Sequence, residues 1–129
     1  MGGLTTQQAG ELHPNLTSVY TSQSLTAASP GGNGAYVVEE PGLTLLLPNT
    51  ATLSVDGHAV VVAIGKDGID LTISYNPATA DQIALEGALN YDTMTLSATS
   101  AQKGDYLKFV CKGVLWIVTE RKGDWVATV

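Results

Sequence analysis

The stretch KGDYLKFVCKGVLWIVTERKGDW, residues 103–125, holds two apolar runs bracketed by two copies of one triplet. YLKFVC (106–111) and VLWIVTE (114–120) are rich in β-branched and aromatic residues and are parted only by Lys112-Gly113. A two-residue, glycine-containing break between such runs predicts a β-hairpin. The triplets Lys103-Gly104-Asp105 and Lys122-Gly123-Asp124 stand where the chain enters the hairpin and where it leaves for a last strand at 125–129. Glycine accepts a positive φ and aspartate bonds its own main chain, so each triplet reads as a corner rather than an adhesive or catalytic signal.

The faces of the hairpin carry a second message. Leu107, Phe109 and Cys111 share one side of the first strand while Lys108 marks the other as wetter, as in a half-buried strand. In the second strand Trp116 and Val118 face one way and Leu115 and Ile117 the other, so both sides are apolar. A strand of a two-layer sandwich is expected to keep one polar face. Either an N-terminal arm or a neighbouring subunit must cover the second one. The runs TLLLP (44–48) and AVVVAI (59–64) raise the same expectation, which makes Leu45, Leu47, Leu115, Trp116 and Ile117 candidates for a homo-oligomer interface.

Outward from the hairpin the signals remain those of strands. AYVV (35–38) and LTLLLP (43–48) flank the turn Glu39-Glu40-Pro41-Gly42; HAVVVAI (58–64) and LTISY (71–75) flank GKDG (65–68). Short candidates follow at 82–85 and 93–98, and the segment 80–89 has room for a turn or two of helix. No helical period is sustained, so the expected class is all-β: an antiparallel sandwich or barrel of about eight to nine short strands. The first 34 residues differ. They are rich in Thr, Ser, Gln and Gly, with isolated apolar residues Leu4, Leu12, Leu16, Val19, Tyr20 and Leu25, and they close with SPGGNG. Such a segment buries too little to order itself. It is expected to be an extended arm (1–34) on a body (35–129), with those six residues contacting a partner or the body.

Composition narrows the function classes. The length of 129 residues suits a single domain. A net charge of −6, with every Lys and Arg at residue 66 or later, argues against nucleic-acid binding. The longest apolar run, 59–64, is far too short for a membrane span, and the start lacks the charge and apolar core of a secretory signal, so a soluble chain made in the cytoplasm is expected. MGGLTT and Asn15-Leu16-Thr17 fit loose patterns for myristoylation and glycosylation, which are short enough to occur by chance.

No chemistry-bearing constellation stands out. His13 and His58 are the only histidines, and Cys111 is the only cysteine, expected to be a small buried hydrophobe. Asp67 and Asp70 around Gly68 lack the further carboxylates of a calcium loop, and Gly31-Gly32-Asn33-Gly34 lacks the Lys-Ser/Thr of a phosphate loop. The expectation is therefore no catalytic, metal or cofactor site, and no enzyme.

The order of elements resembles a small β module of tailed-bacteriophage virion proteins. The resemblance rests on NGAYVVEEPGLTLLLPNTA (33–51), HAVVVAI, IDLTISY, DQIALEG (81–87), MTLSA and KGDYLKFVCKGVLWIV, and covers residues 33–118. Its marks here are Leu45 to Pro48 in the opening strand, then Asp81, Ile83 and Gly87, then Gly104, Asp105, Gly113 and Trp116. Cys111 and Lys112 stand where the module more usually has Ser-Asp, and ERKGDWVATV extends beyond it. The resemblance implies a capsid decoration (cement) protein, a homotrimer bound to the major capsid protein on the virion surface. The alternative it implies is a tail-fibre or receptor-binding module for a host glycan or protein, with Trp125, Tyr75 and Tyr91 as candidate platforms.

Overall fold

The computed structural model describes residues 16–26, 34–50, 57–75, 82–85 and 88–129. They form twelve strands in two sheets. The strands are β1 (Leu16–Val19), β2 (Gln23–Ser24), β3 (Gly34–Val38), β4 (Leu43–Leu46), β5 (Ala59–Ile64) and β6 (Leu71–Ser74), then β7 (Gln82–Leu85), β8 (Ala88–Tyr91), β9 (Thr93–Leu96), β10 (Tyr106–Lys112), β11 (Leu115–Lys122) and β12 (Val126–Thr128). The seven-stranded sheet runs β1-β3-β5-β10-β11-β7-β8 and the five-stranded sheet β12-β9-β6-β4-β2. The all-β, sandwich-like class is as expected. The strand directions are not.

Both sheets are mixed, and the reason lies in how the first half of the chain moves. From β1 to β6 each strand lies in the opposite sheet from its predecessor. The turns at 39–42 and 65–70 therefore arch from one layer to the other instead of folding a hairpin. Each strand then pairs in parallel with the strand two before it: β1 with β3 and β3 with β5 in one layer, β2 with β4 and β4 with β6 in the other. Stacked arches bond to one another beyond the strands too, through Glu39 N to Val19 O (2.9 Å), Gly65 N to Val38 O (2.8 Å) and Gly42 N to Asp70 O (3.2 Å). Alternating apolar patterns read correctly as strands but say nothing about which strand each will pair with.

The second half contains the expected hairpin. β10 and β11 are antiparallel about a turn whose Gly113 has φ 60, and a bulge near Thr119 lets Phe109 oppose Val118 while Lys108 opposes Glu120. β10 also pairs with β5, joining the two halves. In place of a helical turn at 80–89, 82–85 and 88–91 form the antiparallel pair β7 and β8.

The core lies between the sheets. Trp116, Phe109 and Leu107 from the hairpin meet Leu45, Ile73, Met94 and Leu96 of the facing layer, all essentially without solvent contact. Burying each such side chain is worth roughly 1.5–3 kcal/mol. Trp116 finds a partner for its indole N–H in the carbonyl of Pro48 at 3.0 Å, and Cys111 is buried opposite Trp116 in the hairpin ladder. Tyr36 bridges the layers, its hydroxyl taking the Thr26 N–H at 2.9 Å and donating to the Thr26 carbonyl at 2.9 Å.

Part of the N-terminal segment thus belongs to the body's sheets. β1 edges the larger sheet and β2 the smaller one, and Val19 and Leu25 are buried in the chain's own core at 1 % and 3 % exposure. For these two residues a contact with another molecule is replaced by a contact with the body. Tyr20 is exposed (58 %), Leu16 opens β1, and Leu4 and Leu12 lie outside the described residues.

Candidate functional site: the outer face of the seven-stranded sheet

Strand alternation sorts the residues expected at an oligomer interface into two groups. Leu45, Leu47 and Trp116 point inward and are fully buried at 0 %, so they are core residues and cannot meet a neighbour. Leu115 and Ile117 stand on the opposite side of β11 and are half-buried. The two apolar faces of this strand have different partners: one faces the five-stranded sheet, and the other looks outward.

Cross-strand register extends that outward face over neighbouring strands. Ile117 pairs with Val110 of β10 and Ala84 of β7, and Val110 pairs with Ala59 of β5. The result is a continuous apolar row across four strands, roughly 14 Å long at an interstrand spacing of about 4.8 Å. One step along the strands, Val61 of β5 sits between Ala35 of β3 and Lys108 of β10; beyond it Ala63 sits between Val37 and Tyr106. Val37, Val61, Ala63, Val110, Leu115 and Ile117 are all half-buried. Cations border the row. Lys112 lies opposite Leu115 on one side, and on the other Lys108 makes an ion pair with Glu120 at 3.5 Å.

Sequence reasoning named Leu115 and Ile117 but missed Val61, Val110 and their neighbours. The signal was present in AVVVAI, apolar on both sides like β11, and in Val110, which shares its side of β10 with Lys108 and Lys112. Only the register shows that these residues line up with Ile117.

The opposite outer face has another character. Across the five-stranded sheet the register brings together Thr44, Thr72 and Thr95, followed by Val126, and beside them Leu46, Ser74, Thr93 and Thr128. This face is dominated by hydroxyls and has no counterpart to the apolar row.

The remaining candidates are dispersed. Trp125 is buried at 5 %, its indole N–H donating to the Lys122 carbonyl at 2.9 Å, and so offers no open platform. Tyr75 and Tyr91 are half-buried, and Tyr91 packs against the core. His58 precedes β5, and its carbonyl accepts the Cys111 N–H at 2.8 Å; His13 lies outside the described residues. Asp67 accepts the Lys103 N–H at 2.7 Å and Asp70 the Gly42 N–H at 2.9 Å, so these carboxylates fasten turns. Among the described residues no three His, Cys, Asp or Glu side chains come together as metal ligands, and no helix is long and apolar enough to cross a membrane. No protein-family model matches the sequence, and no curated protein matches it either.

Proposed function

We infer that this protein works by association: it is a homo-oligomeric structural protein, and its resemblance to tailed-phage virion modules makes it a capsid decoration (cement) protein that binds and reinforces a head shell. The observation that carries the reading is the adjacent half-buried pair Val110 and Ile117 on an outward sheet face, in a row that ends on the buried Ala59 and Ala84. Val61 and Leu115 nearby are half-buried as well, and such aliphatic surface costs solvation unless another surface covers it. The flanking Lys108 and Lys112 add a charged rim, the arrangement usual around an apolar interface centre. The partners in this reading are a second copy of the chain, in a trimer, and the major capsid protein.

Two experiments test it. Sedimentation velocity should give an oligomer for the unaltered chain and a folded monomer for Ile117→Glu; a monomeric unaltered chain overturns self-association through this face. Immunogold microscopy of virions with an antibody to residues 35–129 should label the head. Label confined to the tail would replace the cement role with receptor binding, and unlabelled virions would remove both.

A further inference from the structure

On the far side of the sandwich from the apolar row, β6, β9 and the corner before β12 border an open cleft of about 480 Å³. That lies within the range of roughly 300–1,000 Å³ typical of small-molecule sites. Its polar lining is Asp70, Thr72, Thr95, Ser97, Ser100 and Asp124, and its apolar lining is Leu71, Leu96, Ala98 and the exposed Val126. No Lys, Arg or His among the described residues lines it. We propose that this cleft is a binding site for a neutral pyranose sugar.

The donor and acceptor inventory selects the ligand. The hydroxyls of Thr72 and Ser100 can donate and accept toward a ligand, those of Thr95 and Ser97 donate within the protein and keep acceptor capacity, and two carboxylates only accept. A phosphate or uronic acid would bring negative charge against Asp70 and Asp124 with no cation to meet it. An ammonium group has donors alone and would leave the hydroxyl donors of Thr72 and Ser100 without acceptors from the ligand. A sugar ring offers both, in several directions at once, and its C–H face suits Ala98 and Val126. A metal ion is not served, because only two carboxylates converge here.

The walls are also held in place before any ligand arrives. Thr72 and Thr95 are register partners in the ladder of β6 and β9, and the Thr95 hydroxyl donates to the Val126 carbonyl at 3.3 Å. Asp70 is fixed by the Gly42 N–H at 2.9 Å. The Ser97 hydroxyl donates to Ser100 Oγ at 3.2 Å and lies 3.1 Å from Thr99 Oγ1. Asp124 stands between Gly123, at φ 108, and the anchored ring of Trp125. Side chains positioned by strands and tight turns lose little freedom on binding, which favours a weak polar ligand. This site stands apart from the assembly reading, since it uses the other sheet and either can fail alone.

The test is an NMR titration of the full ¹⁵N-labelled chain with methyl α-D-glucopyranoside, methyl α-D-mannopyranoside and methyl β-D-galactopyranoside. D-glucuronate and n-butylamine serve as charged controls. At least one neutral glycoside should give saturable shifts at the amides of Thr72, Thr95, 97–100 and 124–126, with neither control doing so. Asp124→Asn should weaken that binding about tenfold, the loss expected for a charge-assisted hydrogen bond. Thr72→Val, which keeps the side-chain volume, should weaken it as well. The proposal fails if no neutral glycoside saturates, if n-butylamine or glucuronate binds as tightly at these amides, or if both variants bind like the unaltered chain.

Discussion

The two Lys-Gly-Asp corners share three letters and a positive glycine φ, 94 at Gly104 and 108 at Gly123, yet their aspartates live in different surroundings. Asp105 is buried at 4 %. One of its carboxylate oxygens accepts the Gln102 N–H at 3.0 Å, and its carbonyl accepts the Ile64 N–H at 2.8 Å, pinning the start of β10 to the end of β5. Asp124 is exposed and lines the hydroxyl-rich cleft. The corners also touch. A methyl group placed on Gly123 would sit 2.6 Å from the Asp105 carboxyl carbon, whereas one on Gly104 would meet open space. A local motif fixes the turn, and the layer against which the turn lands decides whether its side chain supports the fold or faces solvent.

The largest loss of stability at either corner is expected from Gly123→Ala. It combines a disfavoured φ with overlap against a buried carboxylate, and urea unfolding should show a loss on the order of 3 kcal/mol. The same change in an Asp105→Gly background should cost less, with a coupling above about 0.5 kcal/mol in the double-mutant cycle. Strict additivity would mean that the corners do not bear on each other. Asp105→Ala alone comes next, roughly 1–3 kcal/mol, because it strands the Gln102 N–H that the carboxylate now accepts. Gly104→Ala should cost only the backbone penalty, about 1 kcal/mol, as no atom lies near the added methyl. Smallest of all is Asp124→Asn, expected to stay within about 0.5 kcal/mol in stability while changing only what the cleft binds. A melting point as depressed as that of Asp105→Ala would give the two corners the same structural role.

Much of the strand content was legible in the residues. The runs read at 35–38, 58–64, 71–75, 82–85, 93–98, 106–111 and 114–120 lie within a few residues of β3, β5, β6, β7, β9, β10 and β11. Period-two apolar patterning and glycine turns are local signals, and local structure followed them. Partner choice was hidden, because an arch and a hairpin can both be made by a turn such as Glu39-Glu40-Pro41-Gly42; the difference lies in whether the strands rotate onto facing layers. β1 and β2 were hidden for another reason. Leu16-Thr17-Ser18-Val19 and Gln23-Ser24 are short and rich in hydroxyl and amide residues, and each pairs with one neighbour at a sheet edge, with Val19 and the adjoining Leu25 buried. The outward row was half legible: double-sided apolarity marked the strands, while register alone shows that Val110 and Ile117 sit side by side.

Synthesis from the N-terminus gives the alternation of strands between layers a meaning in time. When β1 and β2 emerge, neither has a partner, because each pairs with the strand two places later. β5 then waits for β10, which begins at Tyr106, before the larger sheet can join across its middle. β5 and β7 thus wait for a strand of the late hairpin to complete their pairing, whereas β1 and β2 have their single neighbours once β3 and β4 are made. Such an order delays closure until most of the strands are available and makes folding slow relative to a meander of equal length. Until β10 is made, β5 presents an unpaired apolar edge to whichever copy lies nearby.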